Sequence, residues 1–220
     1  MESNFWKLIK SRIISPIRRW KNLKRNPDDY LRRLSLSASE SDLVIDAGAN
    51  VGLVTKALLS QENPAIKRLW SFEPDPEAFL QLYSINDSRV SKFNEALWDS
   101  DGASTLFRHK SWLENHSHTS SSLLKSKCNV DAMNGVTVTK IDFARVLNEN
   151  PFNNVTIKMD IEGAEYRVIN HLITSGSMKK INKIYCEFHP NSLRFGYTMH
   201  LLLWARLFLT RNSHKVKGWF

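Results

Sequence analysis

Cysteine is scarce in this chain: Cys128 and Cys186 are the only two among 220 residues. Two cysteines, one inside an apolar run, make no disulfide framework. That excludes a small stapled scaffold and fits a reducing compartment. Long apolar runs are missing too. The greasiest stretch, Met199 to Leu209, is broken by His200 and Arg206 and is too short to span a bilayer. The basic N-terminus lacks the apolar core and small-residue cleavage site of a signal peptide. Internal repeats are absent. Acidic residues are outnumbered, 22 against 31 Lys and Arg, for a net charge of +9. What remains is ordinary globular usage, 42% hydrophobic and 24% charged, which excludes wholesale disorder. A chain of this length suits one domain, or one domain with an arm, and buries a full core without metal or disulfide staples.

The positive charge is concentrated at one end. Residues 1–33 hold ten basic residues and three acids, so the rest of the chain is nearly neutral. A nucleic-acid binder would spread its charge over a docking face. Here the charge belongs to an appendage. Trp6, Ile9, Ile13, Ile17 and Trp20 recur at three or four residues and line one helical face. Ser15-Pro16 and Asn26-Pro27 read as helix starts, which predicts helices near 4–14, 16–24 and 27–36. The division expected is a basic amphipathic arm over 1–36 and a catalytic domain over 37–220. The arm has three readings: a helical layer packed on its own domain, an anchor on an anionic membrane through residues 4–25, or a site for nucleic acid or another partner.

From Asp42 the pattern becomes strand–helix alternation. Strands are expected at Leu43–Ala47, Arg68–Phe72, Val90–Leu97, Val155–Met159 and Ile181–Phe188. Helices are expected at Val51–Ser60, from Asp75-Pro76 to about Asn86, Gly163–Thr174 and Tyr197–Arg211. Such interleaving indicates an α/β fold, a Rossmann-like doubly wound and mostly parallel sheet. Residues 98–135, rich in Ser, Asn and His, interrupt it. Ala103–His109 and Val136–Ile141 flank that stretch as a β-pair, and Asp142 caps a short helix. Lys215–Phe220 reads as a last short strand. His116, His118 and Ser120–Ser122 are candidates for a wall over the acceptor.

The first chemical signal is Val44-Ile45-Asp46-Ala47-Gly48-Ala49-Asn50-Val51-Gly52, a strand running into a glycine turn that opens a helix. A dinucleotide site needs G-x-G-x-x-G. Counting from Gly48, the second and third glycine positions hold Asn50 and Leu53, so that pattern fails. Asp46 beside the ligand suits an amine better than a phosphate. The second signal is Glu73, at the end of the next strand, where an acid accepts from both ribose hydroxyls. Either acid alone is compatible with an ordinary turn. Together they describe a nucleoside with an amine-bearing tail and no phosphates, and S-adenosyl-L-methionine meets that description.

The segments VIDAGANVG (44–52), SFEP (71–74), Glu95-Ala96-Leu97, KMDIEGAE (158–165) and Glu187-Phe188-His189 occur in one order. In this the chain resembles the FkbM-type methyltransferases over about residues 42–190. The resemblance implies a Rossmann-like fold, S-adenosylmethionine dependence and O-methyl transfer to a hydroxyl of a sugar or glycosylated metabolite. By position it implies that Asp46, Gly48, Asn50 and Gly52 hold the methionine end, that Glu73 holds the ribose, and that Asn94, Glu95 and Ala96 lie near the adenine. The basic arm is outside the pattern. The chain also stops where such folds complete an antiparallel strand pair.

An alcohol acceptor must lose its proton or have its oxygen polarised by a metal. Asp160 ends the fourth strand, and Glu187 and His189 end the fifth, its neighbour in a doubly wound sheet. Two mechanisms fit. His189 acts as general base, or Asp160 and Glu187, with or without His189, hold a divalent cation such as Mg²⁺ or Mn²⁺. One imidazole is a sparse ligand set, which favours the base. Glu162 and Glu165, at a helix start, read only as complements to the helix dipole. Two rivals stay open. One is a nucleic-acid methyltransferase, although amino-methylating enzymes generally place Pro-Pro-aromatic where this chain has Met-Asp-Ile-Glu-Gly. The other is a non-catalytic scaffold working through its arm. A cytoplasmic location is expected, peripheral at a membrane if the arm docks there.

Overall fold

The structure is a computed structural model, and it describes residues 27–60, 66–111 and 120–218. The helices expected at 4–14 and 16–24, the arm's apolar face and both His116 and His118 lie outside them. Six parallel strands form the main sheet: β1 (Leu43–Ala47), β2 (Leu69–Phe72), β3 (Val90–Phe93), β7 (Val155–Met159), β8 (Ile181–Cys186) and β9 (Val216–Gly218), in the order β3-β2-β1-β7-β8-β9. β1 and β7 are buried along their whole length, as strands covered on both faces must be. Successive residues point to opposite faces. Val44 joins Leu58, Leu69 and Leu82 on one side, while Ile45 joins Ile157, Leu172 and Leu203 on the other.

The first face is covered by α1 (Pro27–Ser39), α2 (Leu53–Ser60) and α3 (Pro76–Tyr83). The second is covered by α4 (Phe143–Glu149), α5 (Glu165–Thr174) and α6 (Gly196–Leu209). Asp75 caps α3 by accepting from Glu77 N, and Asp142 caps α4 by accepting from Arg145 N. Leu34 and Ala38 of α1 are fully buried in the first core. Residues 27–39 are therefore one helix of the main body, and the boundary drawn after residue 36 falls inside it.

One strand expectation is corrected. Val90–Leu97 is not one strand. β3 stops at Phe93, and β4 (Glu95–Trp98) enters a second sheet of order β4-β6-β5 with β5 (Gly102–His109) and β6 (Val130–Asp142). The break is Asn94, whose side-chain amide donates to the carbonyls of Glu73 (2.8 Å) and Pro74 (3.2 Å) and so pins the chain at the sheet's upper edge. The short last strand expected at Lys215–Phe220 is β9, which runs parallel to β8 with Ile184 opposite Val216. Strand order reverses between β1 and β7. In open α/β sheets that switch point is where a ligand crevice forms, beyond the carboxyl ends of the strands.

Candidate active site

A crevice of about 710 Å³, counting its open mouth, lies at that switch point. The tight turn after β1 forms one wall. Gly48 (φ +74°) and Asn50 (φ +51°) adopt left-handed backbone, and Gly48 N and Ala49 N both donate to Phe72 O. A Cβ on Gly48 would stand 1.9 Å from the carbonyl oxygen of Asp160. Only glycine lets the β1 and β7 turns approach this closely. Glu73 sits at the end of β2, buried. Its Oε2 accepts from Asn50 N (2.7 Å) and its Oε1 from Asp75 N (2.8 Å). Burial pushes its carboxyl pKa up to about 7, against the lowering effect of these two backbone donors.

Gly48, Asn50, Glu73, Glu95 and Ala96 all line the crevice, as their assignment to the cofactor requires. Asp46, Gly52 and Asn94 do not line it. Asp46 is fully buried one step below. It accepts from Thr55 Oγ1 (2.8 Å) and faces Lys158 Nζ at 3.1 Å, so it is a support of the turn. A Cβ on Gly52 would meet Ile85 Cδ1 at 2.6 Å, so that glycine admits the packing of α2. Lys158, overlooked in the sequence, donates to Gly48 O (2.7 Å). Burial opposes its charge, but Asp46, Asp160 and Glu73 outweigh burial and hold its pKa above the ordinary value.

The opposite wall carries Asp160 and Glu162, and Glu165, Glu187 and His189 cluster with them without lining the crevice. Asp160, at the crevice, stands 3.8 Å from His189 Nε2, Glu162 stands 3.3 Å from it and Glu187 3.9 Å. His189 Nδ1 donates to Glu165 Oε1 at 3.0 Å, and that same oxygen accepts from Ile161 N and Gly163 N. The strand-end trio Asp160, Glu187 and His189 is thus brought together. Glu162 and Glu165, read from sequence as dipole complements, belong to the same cluster. Burial works against the imidazolium, yet the Glu165 hydrogen bond and the charges of Glu165, Glu162 and Asp160 raise the His189 pKa to about 9. At neutral pH the ring is already protonated, so it does not stand as a free base. Burial and the charge of Asp160 push Glu187 up to about 7. Burial likewise raises Asp160, whose Oδ1 has no hydrogen-bond partner among the described residues.

The metal-ligand geometry also differs from the expected Asp160–Glu187 pair. The ligand atoms lying within 4.8 Å of one another belong to Asp160, Glu162 and His189. Lys127, fully buried, already places its ammonium on Glu162 Oε2 and donates to Ser120 O at 3.0 Å. Nothing in the sequence marked this lysine, the second of two in Lys125-Ser126-Lys127 after a serine run. It ties Ser120–Leu123, which line the crevice, to the β7 turn, and Ser122 Oγ donates to Glu162 O at 2.7 Å. Four non-glycine described residues have positive φ, and three of them, Asn50, Ser120 and Glu162, line this crevice. Backbone strain concentrated there is what a working site tolerates and a mere packing seam does not.

A sequence model of the methyltransferase FkbM domain matches residues 46–214. Among solved structures, methyltransferase FkbM from Methylobacillus flagellatus KT is 16% identical over 80% of this chain and 38% of its own, with a TM-score of 0.48. The plantazolicin methyltransferase BpumL, solved with a monoazolic desmethylPZN analog and SAH, is 11% identical over 82% of this chain and 57% of its own, with a TM-score of 0.35. The chain therefore spans well under two thirds of either. No curated protein matches it.

Proposed function

Because the chain belongs to the FkbM methyltransferase family, we propose that it transfers a methyl group from S-adenosyl-L-methionine to a hydroxyl oxygen, on a sugar of a glycan or glycosylated metabolite. The observation that carries the reading is Glu73. Its buried carboxylate is held by two backbone donors and presented to a crevice at the switch point of the sheet. Two backbone bonds leave it free lone pairs, and a ribose diol is the pair of donors that satisfies them. The donor set fits the cofactor otherwise. Ala96, Leu97 and Leu106 give an apolar slot beside Glu73, and among the described residues no cationic side chain lines the crevice to ask for phosphate. When bound, the cofactor supplies an electrophilic methyl.

This chain's own residues prepare the acceptor. Asp160 and Glu187 offer carboxylates that orient a hydroxyl and take its proton. Glu187, with its pKa near 7 and a third of its side chain exposed, is the acid–base group, which replaces His189 in that role. His189 offsets the mutual repulsion of the carboxylates as a shared cation. A second reading rests on the Asp160–Glu162–His189 triplet, which could hold a Mg²⁺- or Mn²⁺-like ion over the acceptor oxygen. The Lys127 ammonium on Glu162 weighs against it, because it already neutralises a ligand of that set. What supports a sugar acceptor is a wall of hydroxyls and carboxylates, Ser120–Ser122 with Asp160 and Glu162, that can bond a polyol.

The test is calorimetry with S-adenosylmethionine, followed by transfer of a labelled methyl to a panel of glycans and nucleotide-sugars, each with and without chelator. Binding with transfer to a sugar, unchanged by chelator, is the expected outcome. Loss of transfer on chelation, restored by Mg²⁺ or Mn²⁺, establishes the metal reading. Absence of cofactor binding removes the proposal.

A further inference from the structure

α6 has an outer face without charge. Arg206 is the only charged residue in Gly196–Leu209, and its Nη1 donates to Asn170 Oδ1 at 3.0 Å. His200 is turned inward. It accepts from Trp204 Nε1 at 3.0 Å, lies 3.3 Å from Tyr166 OH, and is kept neutral by burial, with its pKa down at about 4. Leu203 and Leu207 fill the core. The opposite side of the helix carries Tyr197, Thr198, Leu201, Leu202, Ala205 and Leu209, and Leu202 is 63% exposed and Leu209 80% exposed. A helix apolar on both sides requires a second apolar surface.

Charge indicates what that surface is. After Glu187 the chain has no acid at all, while Arg194, Arg206, Arg211, Lys215 and Lys217 add five positive charges. Arg194 and Arg211, both exposed, bracket α6 at its two ends. Aliphatic side chains in the middle with long cationic side chains at both ends match an interface of acyl chains and anionic headgroups, into which arginine stems can reach.

We propose that the outer face of α6, with Arg194 and Arg211, is a docking surface for an anionic lipid membrane. The helix lies in the plane of the interface, and this is independent of residues 1–26. Among the described residues no helix is long and apolar enough to cross a membrane, consistent with surface docking.

The experiment places an environment-sensitive fluorophore on the full chain at Leu202→Cys, in a Cys128→Ser background. The probe is a vesicle of phosphatidylcholine with phosphatidylserine, against one of phosphatidylcholine alone. The expected result is a blue-shifted emission with anionic vesicles only, quenched by lipid-borne quenchers and reversed by high salt. Leu202→Glu with Leu209→Glu should lower the vesicle-bound fraction roughly tenfold or more. A label that stays water-like while the protein co-sediments would assign docking to the arm and overturn the proposal. A shift seen in buffer alone, growing with protein concentration, would assign the face to a second copy and overturn it as well. Calorimetry with S-adenosylmethionine on the same variants reads the methyltransferase site separately, so failure there counts against that site and not against the surface.

Discussion

The β1–β2 wall of the crevice holds its ligand-facing group with backbone, whereas the β7–β8 wall holds its groups with one another's charges. On the first, Asn50 N and Asp75 N fix Glu73, and Gly48 brings the turns together. On the second, His189 sits between Asp160, Glu162, Glu165 and Glu187, with Lys127 arriving from a distant loop. A wall held by backbone bonds is rigid, although burial pushes the pKa of its one ligand-facing carboxyl, Glu73, up to about 7. A wall of coupled charges can trade protons, which a methyl acceptor requires, and its state depends on solution conditions.

The largest effect that would sharpen this contrast is on the charged wall. Glu187→Gln should lower methyl transfer by roughly 10²–10⁴-fold, the worth of a positioned acid–base group, while leaving cofactor affinity unchanged by calorimetry. Retained activity would move the proton acceptor to Asp160. Next comes the hinge between the walls. Gly48→Ala meets a carbonyl oxygen at 1.9 Å at a positive φ. It should cost about 2–5 kcal/mol of stability and abolish cofactor binding, read by thermal melting and calorimetry. A melting point like that of the unchanged protein would show that the turn can open.

Glu73→Ala probes the backbone wall alone. Leaving a ribose diol unpaired should weaken S-adenosylmethionine and its demethylated product by about 1–3 kcal/mol, read by calorimetry. Unchanged affinity would place the ribose elsewhere. The smallest effect is on stability against pH. His189 has a folded pKa of about 9, above its ordinary value near 6.5. Its contribution is therefore complete below about pH 6.5 and is lost as pH rises through 9. Melting temperature should fall across that window, and His189→Gln should flatten the slope. An unchanged slope would assign the pH dependence to other groups.

The contrast between the walls also marks what could be read from the chain. The β1 turn and β2 end are contiguous words, 44–52 and 71–74, because backbone conformation is written locally by glycine and by strand periodicity. The places of Gly48, Asn50 and Glu73 at the strand ends were legible for that reason, whereas Glu95 and Ala96 came only with the family resemblance. Asp46 was misread because a motif gives position but not depth: one residue lower on a strand buried along its whole length means full enclosure. Val90–Leu97 was misread as one strand because both halves have strand propensity. Only the Asn94 bonds to Glu73 and Pro74 split it.

By itself, the sequence determined the alternation of strands and helices, the switch-point architecture, the glycine turn with its acid partner, and the strand ends on which Asp160, Glu187 and His189 sit. Those depend on periodicity and on residue types a few positions apart. Tertiary structure alone decided that Glu162, Glu165 and Lys127 join that cluster, that the His189 pKa is raised, that β9 pairs with β8 in parallel, and that among the described residues the outer face of α6 is exposed. Each of these is a through-space relation between segments tens of residues apart. Burial and charge coupling depend on distance in the folded chain, and no local pattern encodes that distance.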